Sequence, residues 1–173
     1  MRDEDPHRAS LLALYAEVDA LLAPFSCDST TECCRFGITG REPYPTAAEI
    51  ALVKHAIARA GITLSSPPRT KRALPVLVGA SQASPRRDAR TGPERACPLL
   101  SAEGRCRIYA SRPFGCRTFF CDRVEGPGKL PRAEIQRMSR AIADLSARFD
   151  PKDPLPRPLT RALYSPPRRH TKA

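Results

Sequence analysis

The stretch CPLLSAEGRCRIYASRPFGCRTFFC, residues 97–121, carries four of the chain's seven cysteines: Cys97, Cys106, Cys116 and Cys121. Pro98, Gly104, Pro113 and Gly115 interrupt it too often for a regular helix or strand. The other three cysteines lie in CDSTTECC, residues 27–34, as Cys27, Cys33 and Cys34. Cysteines that serve as small hydrophobes scatter through apolar positions of helices and strands. These seven keep polar, Gly and Pro company, as groups carried on loops do. The reading that follows is a mostly helical small domain with little strand, whose irregular loops are organised by whatever the thiols hold.

Three helices are expected around the two blocks. Asp5 caps the first, Pro6 suits its first turn, and Leu11, Leu14, Tyr15, Val18, Leu21 and Leu22 fall on one face before Pro24 ends it. Thr46-Ala-Ala-Glu49 matches a capping box that opens the second, with Ile50, Val53 and Ile57 on its apolar side and Gly61 as its stop. Pro131 opens the third, along which Ile135, Met138, Ile142, Leu145 and Phe149 repeat at spacings of three and four before Asp150-Pro151. Core packing accounts for all three stripes. Residues 65–95 read as a flexible insertion around one short strand at Leu74–Val78. Residues 1–150 then make one cysteine-cluster domain, and residues 151–173, rich in Pro with six basic residues and one acidic, are expected to be a disordered tail.

Composition narrows the setting. Nineteen Pro, no Trp and a 41% apolar fraction leave a modest core, which needs a staple. The net charge of +11 attracts acidic surfaces or nucleic acid, yet nearly all the basic residues are Arg, a bias that a GC-rich genome also produces. The opening Met1-Arg2-Asp3-Glu4-Asp5 has no signal-peptide character. Leu74–Ala80 is far shorter than the roughly 20 residues that span a bilayer. The expected location is the cytoplasm, where thiols stay reduced and clustered cysteines serve as metal ligands or redox groups.

Free structural thiols leave the clustering unexplained. A disulfide framework conflicts with the odd count, and no C-x-x-C redox motif is present. Metal ligation therefore leads, with all seven cysteines as candidate ligands. Structural zinc favours paired C-x-x-C knuckles, whereas Cys97, Cys106, Cys116 and Cys121 are separated by eight, nine and four residues. A wider iron–sulfur cluster accommodates such spacing better, so a four-iron cluster is favoured over zinc and zinc stays open. Arg35, Arg105, Arg107, Arg112 and Arg117 flank the cysteines and suit an anionic centre.

Cys106-Arg-Ile108-Tyr109-Ala-Ser-Arg112-Pro113-Phe-Gly-Cys116-Arg117-Thr-Phe119 resembles the second motif, C-x-I-Y-x-x-R-P-x-x-C-R-x-F-x-C, of the YkgJ-like cysteine-cluster proteins, a zinc- or iron-chelating family. The last cysteine arrives one residue late, at Cys121. The family's opening motif, C-x-x-C-G-x-C-C, aligns with Cys27, Cys33 and Cys34, placing Thr30 where the second cysteine belongs and Thr31 where the glycine belongs. The resemblance covers roughly residues 25–125. It implies ligands drawn from Cys27, Cys33 or Cys34, Cys106, Cys116 and Cys121, with Cys97 as a further candidate, and Tyr109, Arg112 and Arg117 as supporting residues around them. The flagellin lysine methylases look similar in their cysteine-rich part, but this chain has no radical-enzyme C-x-x-x-C-x-x-C spacing, and methylation is not carried over.

The expected function is a metal-binding module with a structural or a redox- or metal-sensing role. Two others compete: a metal-dependent transferase or redox enzyme working at an open coordination position, and a nucleic-acid binder using the basic tail. No particular partner protein is implied.

Overall fold

The structure is a computed structural model that describes residues 4–24, 31–64, 95–119 and 131–164. The first helix, α1 (Pro6–Leu22), starts as its sequence requires. Asp5 Oδ1 accepts the His7 amide at 2.9 Å, and Pro6 occupies a position whose N–H would have had no partner. Leu11, Tyr15, Val18 and Leu22 are buried along one face. A single turn, α2 (Phe36–Thr39), precedes α3 (Ala47–Arg59). The capping box at Thr46 and Glu49 is formed. At the other end Gly61 takes φ 60°, the Ile62 amide reaches the Ile57 carbonyl at 3.0 Å, and the Gly61 amide reaches Ala58 at 3.2 Å. That pair of bonds closes the helix with a left-handed glycine. One turn, α4 (Phe114–Arg117), follows in the second cysteine block, and α5 (Arg132–Phe149) is the third long helix. Pro131 stands at the cap of α5, and the first carbonyl of the helix ladder is its own.

Helices α1, α3 and α5 pack mutually. Between them lie Leu11, Tyr15, Ala48, Leu52, Ile142 and Leu145, with Val18, Leu22 and Met138 extending the same core toward one end. Each large apolar side chain fully buried there contributes about 1.5–3 kcal/mol. Ser146 is wholly buried in α5, and its hydroxyl accepts the Ala48 amide at 3.2 Å, one of the orphan donors at the start of α3.

The opposite side of α3 faces a second core. Val53 meets Phe36, Cys97, Leu99, Ile108, Leu159 and Leu163 there, with Cys34 and Cys106 packed against them. Helix α3 thus stands between α1 and α5 on one side and the cysteine loops on the other. The single backbone bridge, Leu100 to Cys106, is the only β-type pairing among the described residues, and no helix among them is long and apolar enough to cross a membrane.

Residues 151–164 are not a disordered tail. The chain returns across the loop before α3, with the Arg157 amide on the Pro45 carbonyl at 3.2 Å and the Leu159 amide on Pro43 at 3.0 Å. It then forms a sixth helix, α6 (Leu159–Tyr164), whose Leu159, Ala162 and Leu163 are buried. Composition misleads here because Pro and Arg dominate the average. The three apolar residues nevertheless sit at helical spacing on one turn, and that stripe is enough to dock on a preformed core. The mostly helical reading holds: among the described residues the three expected long helices are joined by three short ones. The expected strand at Leu74–Val78, all of the expected 65–95 insertion but its last residue, and residues 165–173 lie outside the described residues.

Candidate metal centre

The first cysteine block enters through Thr31, which takes φ 60° and ψ 11°, a left-handed conformation that a β-branched residue rarely adopts. From it runs a 3₁₀ turn, Glu32–Cys34, closed by the Cys34 amide on the Thr31 carbonyl at 2.9 Å and the Arg35 amide on Glu32 at 2.8 Å. Cys33 and Cys34 are half-buried on this turn.

The second block is tied directly onto it. The Cys97 amide donates to the Cys34 carbonyl at 2.7 Å, and the Gly37 amide donates to the Arg95 carbonyl at 2.9 Å. A tight reversal then returns Cys106 beside Leu100, through the Ser101 amide on Arg105 at 2.8 Å and the Arg107 amide on Leu99 at 2.9 Å. Gly104 makes that reversal with φ 75°, and its Cα faces the Thr31 side chain. Cys97 is buried, Cys106 is half-buried, and all five described cysteines are free.

Cys116 rides on α4, and a carboxylate from another helix positions that turn. Glu49 is 3% exposed. Its Oε2 accepts the Thr46 amide at 2.8 Å and the Thr46 hydroxyl at 2.9 Å, while its Oε1 accepts the Tyr15 hydroxyl at 3.0 Å and the Phe114 amide at 2.7 Å. Glu49 therefore caps α3 and the start of α4 at once. Arg117, at the end of the same turn, is 7% exposed. Its Nε donates to the Arg112 carbonyl at 3.0 Å, its Nη2 to the Ala110 carbonyl at 2.5 Å, and its Nη1 to Asp19 of α1. The guanidinium lies 4.2 Å from the Tyr15 ring centre. A second carboxylate, the half-buried Glu42, accepts from Arg95 at 2.6 Å and from the Thr160 amide at 2.7 Å, joining the approach to Cys97 to α6.

A family profile described as "putative zinc- or iron-chelating domain", of the CxxCxxCC type, matches residues 26–133, well over half of the chain. The chain belongs to this zinc- or iron-chelating family. Comparison with curated proteins and with solved structures gave no match.

The thiol electrostatics fit the chelating character of the family. Cys33 is held below the ordinary thiol range, first by the Cys34 S–H that donates to it and also by the positive charge of Arg112. Cys34, the donor of that pair, is pushed up correspondingly. Burial raises Cys97 to about 11, and it raises Cys106 and Cys116 as well. The charge of Cys33 bears on Cys34, Cys97, Cys106 and Cys116, and those of Cys97 and Cys106 bear on Cys34 and Cys116. Residues up to 83 positions apart in the chain thus share one electrostatic neighbourhood, where thiolates repel one another unless a cation is present. Soft metal ions and iron–sulfur clusters supply that positive charge and replace the protons. Among the described residues no three His, Cys, Asp or Glu side chains converge closely enough to hold a metal ion. Cys27, Thr30 and Cys121 lie outside the described residues.

Among the arginines named from sequence, Arg35, Arg105 and Arg107 are exposed, whereas Arg112 and Arg117 turn inward. Tyr109 stands on a 3₁₀ turn, Tyr109–Ser111, with its ring 3.9 Å from the Arg112 guanidinium. Sequence reasoning missed Asp19 and Glu42, and saw Tyr15 only as part of an apolar stripe and Glu49 only as a local cap. Its bonds to Tyr15 and Phe114 had no linear signal, because those partners come from α1 and α4.

Proposed function

We propose that this member of the zinc- or iron-chelating family binds its metal as a thiolate centre that bridges the two cysteine blocks, an iron–sulfur cluster of the four-iron type ahead of zinc. The observation that carries this reading is the Cys97 amide bonded to the Cys34 carbonyl at 2.7 Å, which ties together two blocks whose cysteines lie more than 60 residues apart in the chain. The ligands are drawn from Cys33, Cys34, Cys97, Cys106 and Cys116, completed by Cys27 and Cys121. Adjacent Cys33 and Cys34 cannot both face one small ion comfortably, which favours the wider cluster over a single zinc tetrahedron. The centre's role is to hold the cysteine loops on α3 and to report metal or redox state through their order. It supplies this effect in a reducing compartment, where the thiols remain free.

The test is an anaerobic preparation of the full chain, with its visible spectrum and metal-to-protein ratio. A brown protein with about four irons per chain supports the cluster. A colourless protein with stoichiometric zinc replaces the cluster by zinc and keeps the thiolate centre. A preparation with neither metal after reconstitution removes the proposal altogether.

A further inference from the structure

Arg112 and Arg117 are five residues apart and both turn inward, yet their surroundings differ. Arg117 has each of its guanidinium nitrogens bonded within the fold, to the Arg112 and Ala110 carbonyls and to Asp19. Arg112 is stacked over Tyr109 at 3.9 Å, and its Nη2 stands 4.0 Å from Asp19 Oδ1, beyond hydrogen-bond reach. Its Nε is buried and has no hydrogen-bond partner among the described residues. A buried N–H of a permanently charged group without an acceptor is a costly thing for a fold to carry. Asp19 is already engaged by Arg117, and the face of Tyr109 is occupied by the guanidinium itself.

Resting on the thiolate-centre reading, we infer that Arg112 is a positioning residue for that centre, its Nε–H donating to a metal-bound thiolate sulfur of the cysteine blocks. Arg112 stands between Cys106 and Cys116 in the second block, and the Arg117 bond to its carbonyl fixes it beside the turn that carries Cys116. A thiolate centre with four cysteine ligands is net anionic, and a sulfur on it is the acceptor that the Nε lacks. Guanidinium suits this task better than ammonium, because its planar fork stacks on Tyr109 while an edge N–H stays directed. A hydrogen bond to ligand sulfur draws charge off the metal, which strengthens retention of the anionic centre and shifts its electronic transitions. Arg112 then couples the Tyr109 turn to the metal, whereas Arg117 couples α4 to α1.

The experiment uses anaerobic, fully reduced, full-length protein titrated with cobalt(II), whose thiolate charge-transfer band reports directly on ligand sulfur. Wild type, Arg112→Gln and Arg112→Lys are compared, together with the thermal midpoints of the metal-free forms. The expected result is a shifted band and about tenfold or greater weakening of cobalt affinity in R112Q. R112K, which keeps the charge but not the Nε–H, is expected to recover affinity in part while its band stays shifted. The metal-free midpoints should change little. A band and affinity in R112Q matching wild type overturn the inference, as does an unmoved band accompanied by equal loss of stability with and without cobalt, the signature of a purely structural residue. If R112Q does not fold, the band of R112K decides in the same way. Where wild type gives no cobalt band but builds a cluster with iron and sulfide, the visible band of the cluster is compared in the same variants and decides in the same way; a wild type that binds neither metal removes the thiolate centre itself, and the inference with it. A normal wild-type band beside an unaltered R112Q band removes only the role of Arg112.

Discussion

The Phe114 amide donates to the Glu49 carboxylate at 2.7 Å across 65 positions of sequence, so the helix turn that carries Cys116 starts on a side chain of α3. The same carboxylate holds Tyr15 and Thr46. Replacing Glu49 by Ala leaves the Phe114 and Thr46 amides and the Tyr15 hydroxyl without their acceptor in a site that is 3% exposed. At roughly 1–3 kcal/mol for each stranded buried donor, a loss of at least about 3 kcal/mol is expected. Urea unfolding of E49A measures it, and a loss below about 1 kcal/mol would show that the network relaxes around the change.

Arg117 should act on stability and not on the metal. In Arg117→Lys one ammonium cannot serve the Arg112 carbonyl, the Ala110 carbonyl and Asp19 from a single plane. About 2 kcal/mol of stability should be lost. The thiolate charge-transfer band of cobalt-loaded R117K should stay in place, and a moved band would assign Arg117 to the centre as well.

Thr31 occupies φ 60° at the position where the resembled C-x-x-C-G-x-C-C motif has glycine. The left-handed conformation costs a side-chain-bearing residue about 1–2 kcal/mol, and glycine adopts it freely at some cost in chain entropy. Thr31→Gly is expected to raise the thermal midpoint, by a net stabilisation of about 0.5–1 kcal/mol. A lower midpoint would mean that the Thr31 side chain contributes more through contacts than its backbone strain costs.

Leu159 is 1% exposed in the core shared with Cys97 and Phe36. Leu159→Ala should cost about 2–5 kcal/mol, as for other buried leucines. Deleting residues 151–173 should be at least as damaging. Hydrogen exchange of Val53 and Leu99 in L159A would locate the effect, and protection equal to wild type would show that α6 is dispensable.

Metal removal should loosen the cysteine loops more than the helix layer. A ligand bound by the folded form alone stabilises it by mass action, and the candidate ligands hang on loops joined by few backbone bonds. Chelation with reductant present is expected to lower the melting temperature and to remove amide protection at Cys97 and Arg107 before that at Leu52 and Ile142. An unchanged melting temperature and protection pattern after complete metal loss would contradict the thiolate centre.

The three long helices were legible because their signals are local. Asp5 with Pro6, Thr46 with Glu49 and Gly61 each act within one turn, and the apolar stripes need only the helical period. The clustering of cysteines on loops was legible for the same reason, as a matter of which residues stand beside them. Helix α6 escaped because Pro and Arg set the average of its segment, while three buried residues, Leu159, Ala162 and Leu163, determine its fate once a core exists to receive them.

Sequence alone thus determined the helical layer and the chemistry of the donor set, since cap chemistry, periodicity and thiol softness belong to residues and their immediate neighbours. Tertiary structure alone decided which groups meet: the Cys34 carbonyl with the Cys97 amide, Glu49 with Phe114, Arg117 with Asp19 while the Arg112 Nε is left unbonded. The physical reason is that a buried hydrogen bond depends on the direction and burial of both partners, and neither is written in the spacing of residues that lie tens of positions apart.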